Sequence, residues 1–142
     1  IRIDFFSFYK NYENDIIKMN LDKYFNFHQP INNKQLLKKI VEEYSHVLYM
    51  RAGFKSDEHI FSTKFYDYLL IKKPIVYIGK EGDVSNFIRT EKVGLVLKDY
   101  QNNIDNFIDD SHDLKAELEK KDFSSYSIDN TISKLLNILE ID

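Results

Sequence analysis

The sequence predicts an α/β fold built on an open parallel sheet of about five strands, with helices on both faces and a helical C-terminal part. Three observations lead to this prediction. Short apolar runs alternate with longer segments in which apolar residues recur at helical spacing. The runs read as continuous apolar stretches, which is typical of strands covered on both faces. At 62–79 a capped helix, a proline break and a β-branched strand follow one another, and this order is half of a βαβ unit.

The individual elements follow from the local pattern in chain order. Strands are predicted where the apolar runs are short, at 1–8, 24–27, 47–50, 75–78 and 95–97. Helices are predicted around 13–19, from a cap at Asn32 or Asn33 to Tyr44, after Ser62, and near 84–90. The second helix is well marked because its apolar residues return every three or four positions, at Leu36, Leu37, Ile40, Val41 and Tyr44. Residues 101–142 carry helical patterns and no strand signal.

The helix after Ser62 combines several features of an anion site. Ser62 or Thr63 can cap it, because a side-chain oxygen accepts hydrogen bonds from the first backbone N–H groups. Those N–H groups and the positive end of the helix dipole favour an anion. Lys64 and Asp67 are three residues apart and share one helix face, so a cation for phosphate lies beside a carboxylate that suits sugar hydroxyls. A separate stripe can pack on the sheet, formed by Phe65, Tyr68, Leu69 and Lys72.

At these residues the chain resembles the donor-binding, C-terminal half of retaining, family-four-like glycosyltransferases (group 1 type), which consist of two facing Rossmann-like domains. That family carries a segment of the form Ser-x-Lys-hydrophobic-x-Glu-Tyr-Leu/Met-x-x-x-Lys-Pro-Ile/Val, and this chain has Ser-Thr-Lys-Phe-Tyr-Asp-Tyr-Leu-Leu-Ile-Lys-Lys-Pro-Ile at 62–75. The resemblance implies a Rossmann-like fold. It also implies that Lys64 lies near the diphosphate and that Asp67, in place of the family's Glu, faces the ribose hydroxyls.

A second segment, at 82–88, is similar to the family's Gly-Gly-x-x-Glu-x-Ile loop. It begins Gly82, Asp83, Val84, Ser85, and glycine lets backbone N–H groups approach a phosphate closely. The resemblance implies that these four residues bind the donor. The chain departs from the family at the second glycine, which is Asp83, at the following Glu, which is Asn86, and at an upstream Glu position occupied by His59.

Further candidates follow from the rule that ligands bind at the carboxyl ends of parallel strands. Four loops lie there, at 7–10, 28–31, 51–62 and 79–85. Arg51 follows a predicted strand directly, so its charge can face an anionic donor. The family likeness implies that His28 lies near the nucleobase.

Composition sets outer bounds on function. The chain has 142 residues, 43% of them hydrophobic, and a net charge of −3 with acidic and basic residues mixed, so no basic surface for nucleic acid is expected. The absence of cysteine excludes disulfides and thiolate metal sites. No apolar run approaches the roughly 20 residues that span a bilayer. The four histidines lack metal-ligand spacing, and no metal site is predicted.

The resemblance implies a transferase that takes a nucleotide-diphosphate sugar as donor substrate, uses no cofactor and serves polysaccharide or glycan synthesis. We expect residues 1–142 to be one donor-binding domain that lacks its first strand and helix and also the N-terminal acceptor domain. That missing half would be its partner and would associate peripherally with the inner face of the membrane, in the cytoplasm. The catalytic residues remain unidentified, and the chain alone is expected to bind donor without turnover.

Other interpretations stay open at this level. Ser62 as a plain helix cap, Lys64 and Asp67 as a solvated ion pair, Arg51 in a surface ion pair and Gly82 as a simple turn residue would need no ligand. A sugar-nucleotide epimerase could use a similar paired-domain scaffold, although the loops lack convincing acid and base carboxylates. A non-catalytic regulatory module of the receiver type would need a phosphoacceptor Asp after its third strand, where this chain has Arg51.

Overall fold

The computed structural model describes residues 1–6, 11–51, 60–100, 104–127 and 129–130. Its strands are β1 (Ile3–Phe6), β2 (Phe25–His28), β3 (Val47–Met50), β4 (Ile75–Ile78) and β5 (Gly94–Val96). Its α-helices are α1 (Asn11–Lys18), α2 (Asn33–Glu43), α3 (Thr63–Leu70), α4 (Asp83–Thr90) and α5 (Ile104–Glu119). Short 3-10 turns occur at Asp22–Tyr24, Leu97–Tyr100 and Ser124–Tyr126.

The strands confirm the predicted α/β class, because every described strand pairs in parallel. The single sheet of about five strands is corrected to two smaller ones, β1–β2 and β3–β4–β5. They belong to two compact units, Ile1–Lys38 and Lys39–Asp142. An apolar run signals a strand but carries no information on which distant run pairs with it, so the division into two sheets was not visible in the sequence.

The β1–β2 sheet has two chemically different faces, because side chains alternate along each strand. One face is aromatic: the ring of Phe5 lies 6.1 Å from that of Phe25 and 6.0 Å from that of Phe27. The other carries the polar residues and one ring, Asp4, Asn26, His28 and Phe6, with Asp4 opposite Asn26 and Phe6 opposite His28. All eight strand residues of this unit are half-buried.

The β3–β4–β5 sheet forms the core of the second unit. Alternate residues of its first two strands are buried, namely Val47, Tyr49, Ile75 and Tyr77. The surrounding helices add buried apolar side chains from α3, α4 and α5, among them Phe65, Leu69, Val84, Ile88, Leu114 and Leu118. The predicted packing stripe of α3 is thus confirmed at Phe65 and Leu69. None of the described helices has the length and apolar character needed to cross a bilayer.

Helix ends explain several residues of the central motif. Asn32 caps α2, since its Oδ1 accepts a hydrogen bond of 2.9 Å from the Gln35 N–H. At the other end of that helix the Lys73 ammonium donates to the carbonyls of Val41 and Tyr44, at 2.9 and 2.7 Å. A cation there satisfies carbonyls that the helix leaves unpaired. The lysine before the motif's proline is therefore a helix C-cap.

Candidate functional site

The site begins at the first turn of α3. Ser62 occupies the N-cap position with an extended backbone (φ −81°, ψ 160°), yet its hydroxyl makes no hydrogen bond to the helix. The Tyr49 hydroxyl donates to Ser62 Oγ at 3.0 Å and accepts from the Ser62 N–H at 3.3 Å. The predicted side-chain cap is therefore not formed, because a buried tyrosine of β3 holds the serine. Since Ser62 Oγ accepts from Tyr49, its own proton is left to donate to a different group.

Arg51 joins the same cluster from the end of β3. Its N–H donates to the Ile78 carbonyl at 2.9 Å, which continues the ladder between β3 and β4 by one residue. Its Nη1 lies 3.4 Å from the Tyr49 hydroxyl, so the guanidinium and Ser62 share one partner. The structure thus brings together two predicted site residues, Arg51 and Ser62, through a third that the sequence analysis missed. The sequence pattern predicts Tyr49 only as part of the strand at 47–50, and nothing in that pattern indicates a polar role.

The remaining predicted residues of α3 occupy different environments. Thr63 and Lys64 are exposed on the first turn, where N–H groups lack intrahelical partners. The Phe65 N–H already donates to the Ser62 carbonyl at 3.0 Å, so the helical ladder starts there. Asp67 is half-buried, and its charge acts on Tyr68: burial first, and then this carboxylate, raises the pKa of Tyr68. The first turn of α3 contains no acidic residue.

A cluster of aromatic rings fixes the start of α3. Phe61, Phe65 and Phe87 contact one another edge to face, with centroid separations of 5.1 Å for Phe61–Phe65 and 5.6 Å for each pair that includes Phe87. Such pairs each contribute about 0.5–1.5 kcal/mol beyond simple burial. Because Phe61 precedes Ser62 and Phe87 lies on α4, these contacts hold the first turn of α3 against the neighbouring helix. A ligand at Ser62 would meet a prearranged backbone.

The loop at 82–85 differs from the start of α3. Gly82 is the N-cap of α4, and its N–H donates to Ser85 Oγ at 2.9 Å. The Ser85 hydroxyl lies 3.0 Å from Glu81 Oε2, and Ser85 is fully buried. Val84 is a core residue, whereas Asp83 is exposed. Two of the groups predicted to bind phosphate are thus engaged in capping their own helix.

Arg89 forms an ion-pair cluster with two carboxylates beside that loop. Arg89 bonds Glu81 at 2.8 and 3.0 Å and Asp99 at 2.7 and 2.8 Å. These hydrogen bonds from Arg89 hold the pKa of Glu81 at about 2. The same two carboxylates raise the pKa of Arg89. Glu81 therefore stays ionised at neutral pH, one residue before Gly82.

A cavity of about 360 Å³ lies between α4, β5 and α5, and none of the predicted site residues lines it. Its walls carry four carboxylates, at Asp99, Asp110, Asp113 and Glu117, against the cations of Arg89 and Lys92. This balance does not favour a diphosphate. In the part of the chain that is described, no group of three or more His, Asp or Glu side chains is arranged to hold a metal ion.

His28 belongs to the first unit, where its surroundings are well defined. Its Nε2 lies 2.5 Å from Asp4 Oδ1, which also accepts from Asn26 Nδ2 at 3.1 Å. Its ring stacks on Phe6, with centroids 4.6 Å apart and planes at 14°. Sequence reasoning placed His28 in the loop directly after a strand, whereas it is the last residue of β2, and it missed Asp4, whose role depends on strand pairing.

Some predicted positions lie outside the described residues. These are the loop at 7–10, the segment 52–59 with His59, residues 101–103, and the C-terminal residues 131–142. The predictions made for them stay predictions.

We compared the chain with protein-family models, with curated proteins and with solved structures, and nothing in any of the three matches it. The class that the structure itself defines is an open parallel α/β protein. Any narrower assignment must come from the geometry of the site.

Proposed function

We propose that this chain is the donor-binding part of a retaining glycosyltransferase and that the start of α3 binds the diphosphate of a nucleotide sugar. One observation carries the proposal: Tyr49 holds Ser62 away from its capping role and aligns Arg51 with it, at 3.0 and 3.4 Å. The N–H groups at this helix N-terminus are therefore not capped by the Ser62 side chain. Arg51 is linked to Ser62 through Tyr49, and Lys64 lies in the first turn of the helix. Such an end is suited to a doubly charged anion.

The chemistry that follows is electrostatic. The diphosphate oxygens would accept from the Ser62 hydroxyl and from the N–H groups of Thr63 and Lys64, while Arg51 adds positive charge. During transfer the bond from the sugar to the diphosphate breaks and negative charge grows on the leaving group. Donors that are already in place stabilise this charge more in the transition state than in the ground state, which is what accelerates the reaction. This proposal requires no metal and no cofactor.

Other residues keep the roles that the resemblance implies, as parts of the same proposal. Asp67 would accept hydrogen bonds from the ribose hydroxyls. The role near the base that the resemblance implies for His28, which belongs to the other unit, stays a prediction. The loop at 82–85 would contribute through Asp83 and the backbone of Val84, because the Gly82 N–H and the Ser85 hydroxyl are already engaged. The acceptor and the groups that move protons would belong to a second domain of the longer protein.

Calorimetric titration of the full chain tests the proposal. Uridine and guanosine diphosphates, uridine monophosphate and inorganic pyrophosphate serve as probes, with Arg51→Gln and Lys64→Gln as variants. Hydrogen bonds to charged groups contribute about 1.5–3 kcal/mol, so each variant should weaken diphosphate binding about 10- to 100-fold. Lys120→Gln removes the same charge from an exposed site beyond α5 and should leave the affinity unchanged. Equal affinity in all three variants, or no binding of any diphosphate, would contradict the proposal.

A further inference from the structure

The cavity between α4, β5 and α5 has the size of a small-molecule site, and the proposed function does not use it. Its volume is about 360 Å³, which lies within the range of ligand pockets. Every residue that lines it belongs to the unit Lys39–Asp142, so its walls keep a fixed relation to one another. The chemistry of those walls indicates what kind of ligand fits.

The floor of the cavity is apolar. It is formed by Leu95 and Val96 of β5 and by Leu114 of α5, and all three are buried. Aliphatic side chains gain free energy when a ligand covers them with methylene groups, because both partners remove apolar surface from water. A hydrated inorganic ion gains nothing from such a floor. The floor therefore favours a ligand with an aliphatic body.

The rim of the cavity carries carboxylates along one face of α5. Asp110, Asp113, Leu114 and Glu117 share this face, since residues three, four and seven positions apart lie on one side of a helix. Asp113 and Glu117 are exposed and lie one turn apart, about 6 Å along the helix axis. The α5 wall thus presents two carboxylates on either side of an apolar residue.

The cations of the cavity do not cancel this charge. Arg89 bonds Glu81 and Asp99 at distances between 2.7 and 3.0 Å, so its charge is already divided between two carboxylates. Lys92 is exposed on the same side of the cavity as Arg89 in the sequence order, after the end of α4. Four carboxylates and two cations line the cavity, which leaves a net charge of −2. The lining is therefore complementary to a doubly charged cation.

We propose that this cavity binds an aliphatic diamine, a dication whose two ammonium groups are joined by a short chain of methylenes. The ammonium groups pair with Asp113 and Glu117, because the ends of such a chain are separated by a distance comparable to one helical turn. The methylenes between them cover Leu114 and the β5 floor. The inference goes beyond the proposed function and is independent of it, since no residue of the α3 site lines the cavity.

Amide NMR titration of the full chain tests the proposal, with the signals of Leu95 and Val96 as reporters of the cavity floor. Cadaverine is the diamine probe. Pentylamine has a similar aliphatic chain and a single charge, whereas hexaamminecobalt(III) has a higher charge and no aliphatic body. Asp113→Asn and Glu117→Gln each remove one carboxylate from the rim. Glu119→Gln makes the same charge change at an exposed residue of α5 that does not line the cavity, and it is the matched control.

We expect cadaverine to shift the two β5 signals saturably and to bind more tightly than pentylamine or hexaamminecobalt(III). Each rim variant should weaken cadaverine binding about two- to fivefold, which is the effect of one exposed ion pair, and Glu119→Gln should leave it unchanged. A titration without saturable shifts at β5 would overturn the inference, and so would unchanged affinity in both rim variants. Equally tight binding of hexaamminecobalt(III), or equal weakening by Glu119→Gln, would overturn it as well, because the attraction would then come from the acidic surface of α5 alone.

Discussion

Tyr49→Phe is the sharpest single perturbation of the α3 site, because it removes one oxygen and keeps the ring. The residue is 5% exposed, and its ring packs on Phe65 and Tyr77 at 5.5 and 6.0 Å, contacts that phenylalanine would preserve. The lost hydroxyl makes two hydrogen bonds with Ser62, at 3.0 and 3.3 Å, and a longer one with Arg51 at 3.4 Å. Counting the two shorter bonds, we expect a loss of about 1–3 kcal/mol in the free energy of unfolding.

The same change should reduce diphosphate affinity for a distinct reason. Once Tyr49 no longer holds it, the Ser62 hydroxyl can turn to cap α3, and the helix N–H groups would then be shared between the serine and the phosphate. Arg51 also loses the partner that aligns it with this end. We expect uridine diphosphate to bind about tenfold more weakly, which corresponds to about 1.4 kcal/mol.

Tyr77→Phe is the matched control. Tyr77 lies opposite Tyr49 in the β3–β4 register, is equally buried, and donates to the Lys80 carbonyl at 3.0 Å. Urea unfolding and calorimetry on both variants separate stability from binding. Tyr77→Phe should lower stability by about 1 kcal/mol and leave affinity unchanged. If the two variants lose affinity equally, or Tyr49→Phe loses none, the role given to Tyr49 is refuted.

Three further predictions concern the framework of the second unit. In Gly94→Ala the new Cβ would lie 2.0 Å from the Ile75 carbonyl oxygen, a backbone atom that cannot move aside. We therefore expect the free energy of unfolding in urea to fall by about 3 kcal/mol or more. A fall of less than about 1 kcal/mol would contradict the close approach of β4 and β5. Arg89 lowers the pKa of Glu81 to about 2, so this pair stabilises the folded chain fully above pH 4.5 and stops doing so as Glu81 is protonated at lower pH. Arg89→Met should therefore lower the free energy of unfolding above pH 4.5, and by progressively less as the pH falls towards 2. A difference in unfolding free energy that does not depend on pH would refute this. Lys73→Met removes the C-cap of α2 and should lower the free energy of unfolding by about 0.5–1.5 kcal/mol, measured as a lower urea midpoint. An unchanged midpoint would contradict the role of Lys73 as that cap.

Local signals were sufficient to locate the elements of the second unit. The strands at 47–50 and 75–78 have the predicted bounds, and the helix after Ser62 begins at Thr63. Each is marked by nearby residues: Pro74 ends the helical segment, and short apolar runs fill the strands. These features act over a few residues, which is the range that a sequence pattern reports.

Features that depend on pairing between distant residues could not be predicted. Ser62 has the sequence of a helix cap, and the residue that prevents capping is Tyr49, which precedes it by 13 positions. Asp4 and His28 are 24 residues apart and meet only because β1 and β2 pair in this register. Lys73 looks like part of a ligand motif, but its ammonium serves the end of α2. In each case the sequence pattern did not reveal which distant residue makes the contact.

The N-termini of α3 and α4 differ in how strongly they favour a bound anion. At α4 the Ser85 hydroxyl satisfies the Gly82 N–H, and Asp83 adds a carboxylate in the first turn, so a phosphate would compete with a formed cap and meet like charge. At α3 the serine hydroxyl is turned away from the helix, and no acidic residue lies in the first turn. A charged residue near a helix N-terminus contributes about 0.3–1 kcal/mol, so the Asp83 carboxylate already takes up part of the stabilisation that an anion would gain at α4. The electrostatic difference between the two ends therefore favours α3 over α4 as the diphosphate site of the proposed function.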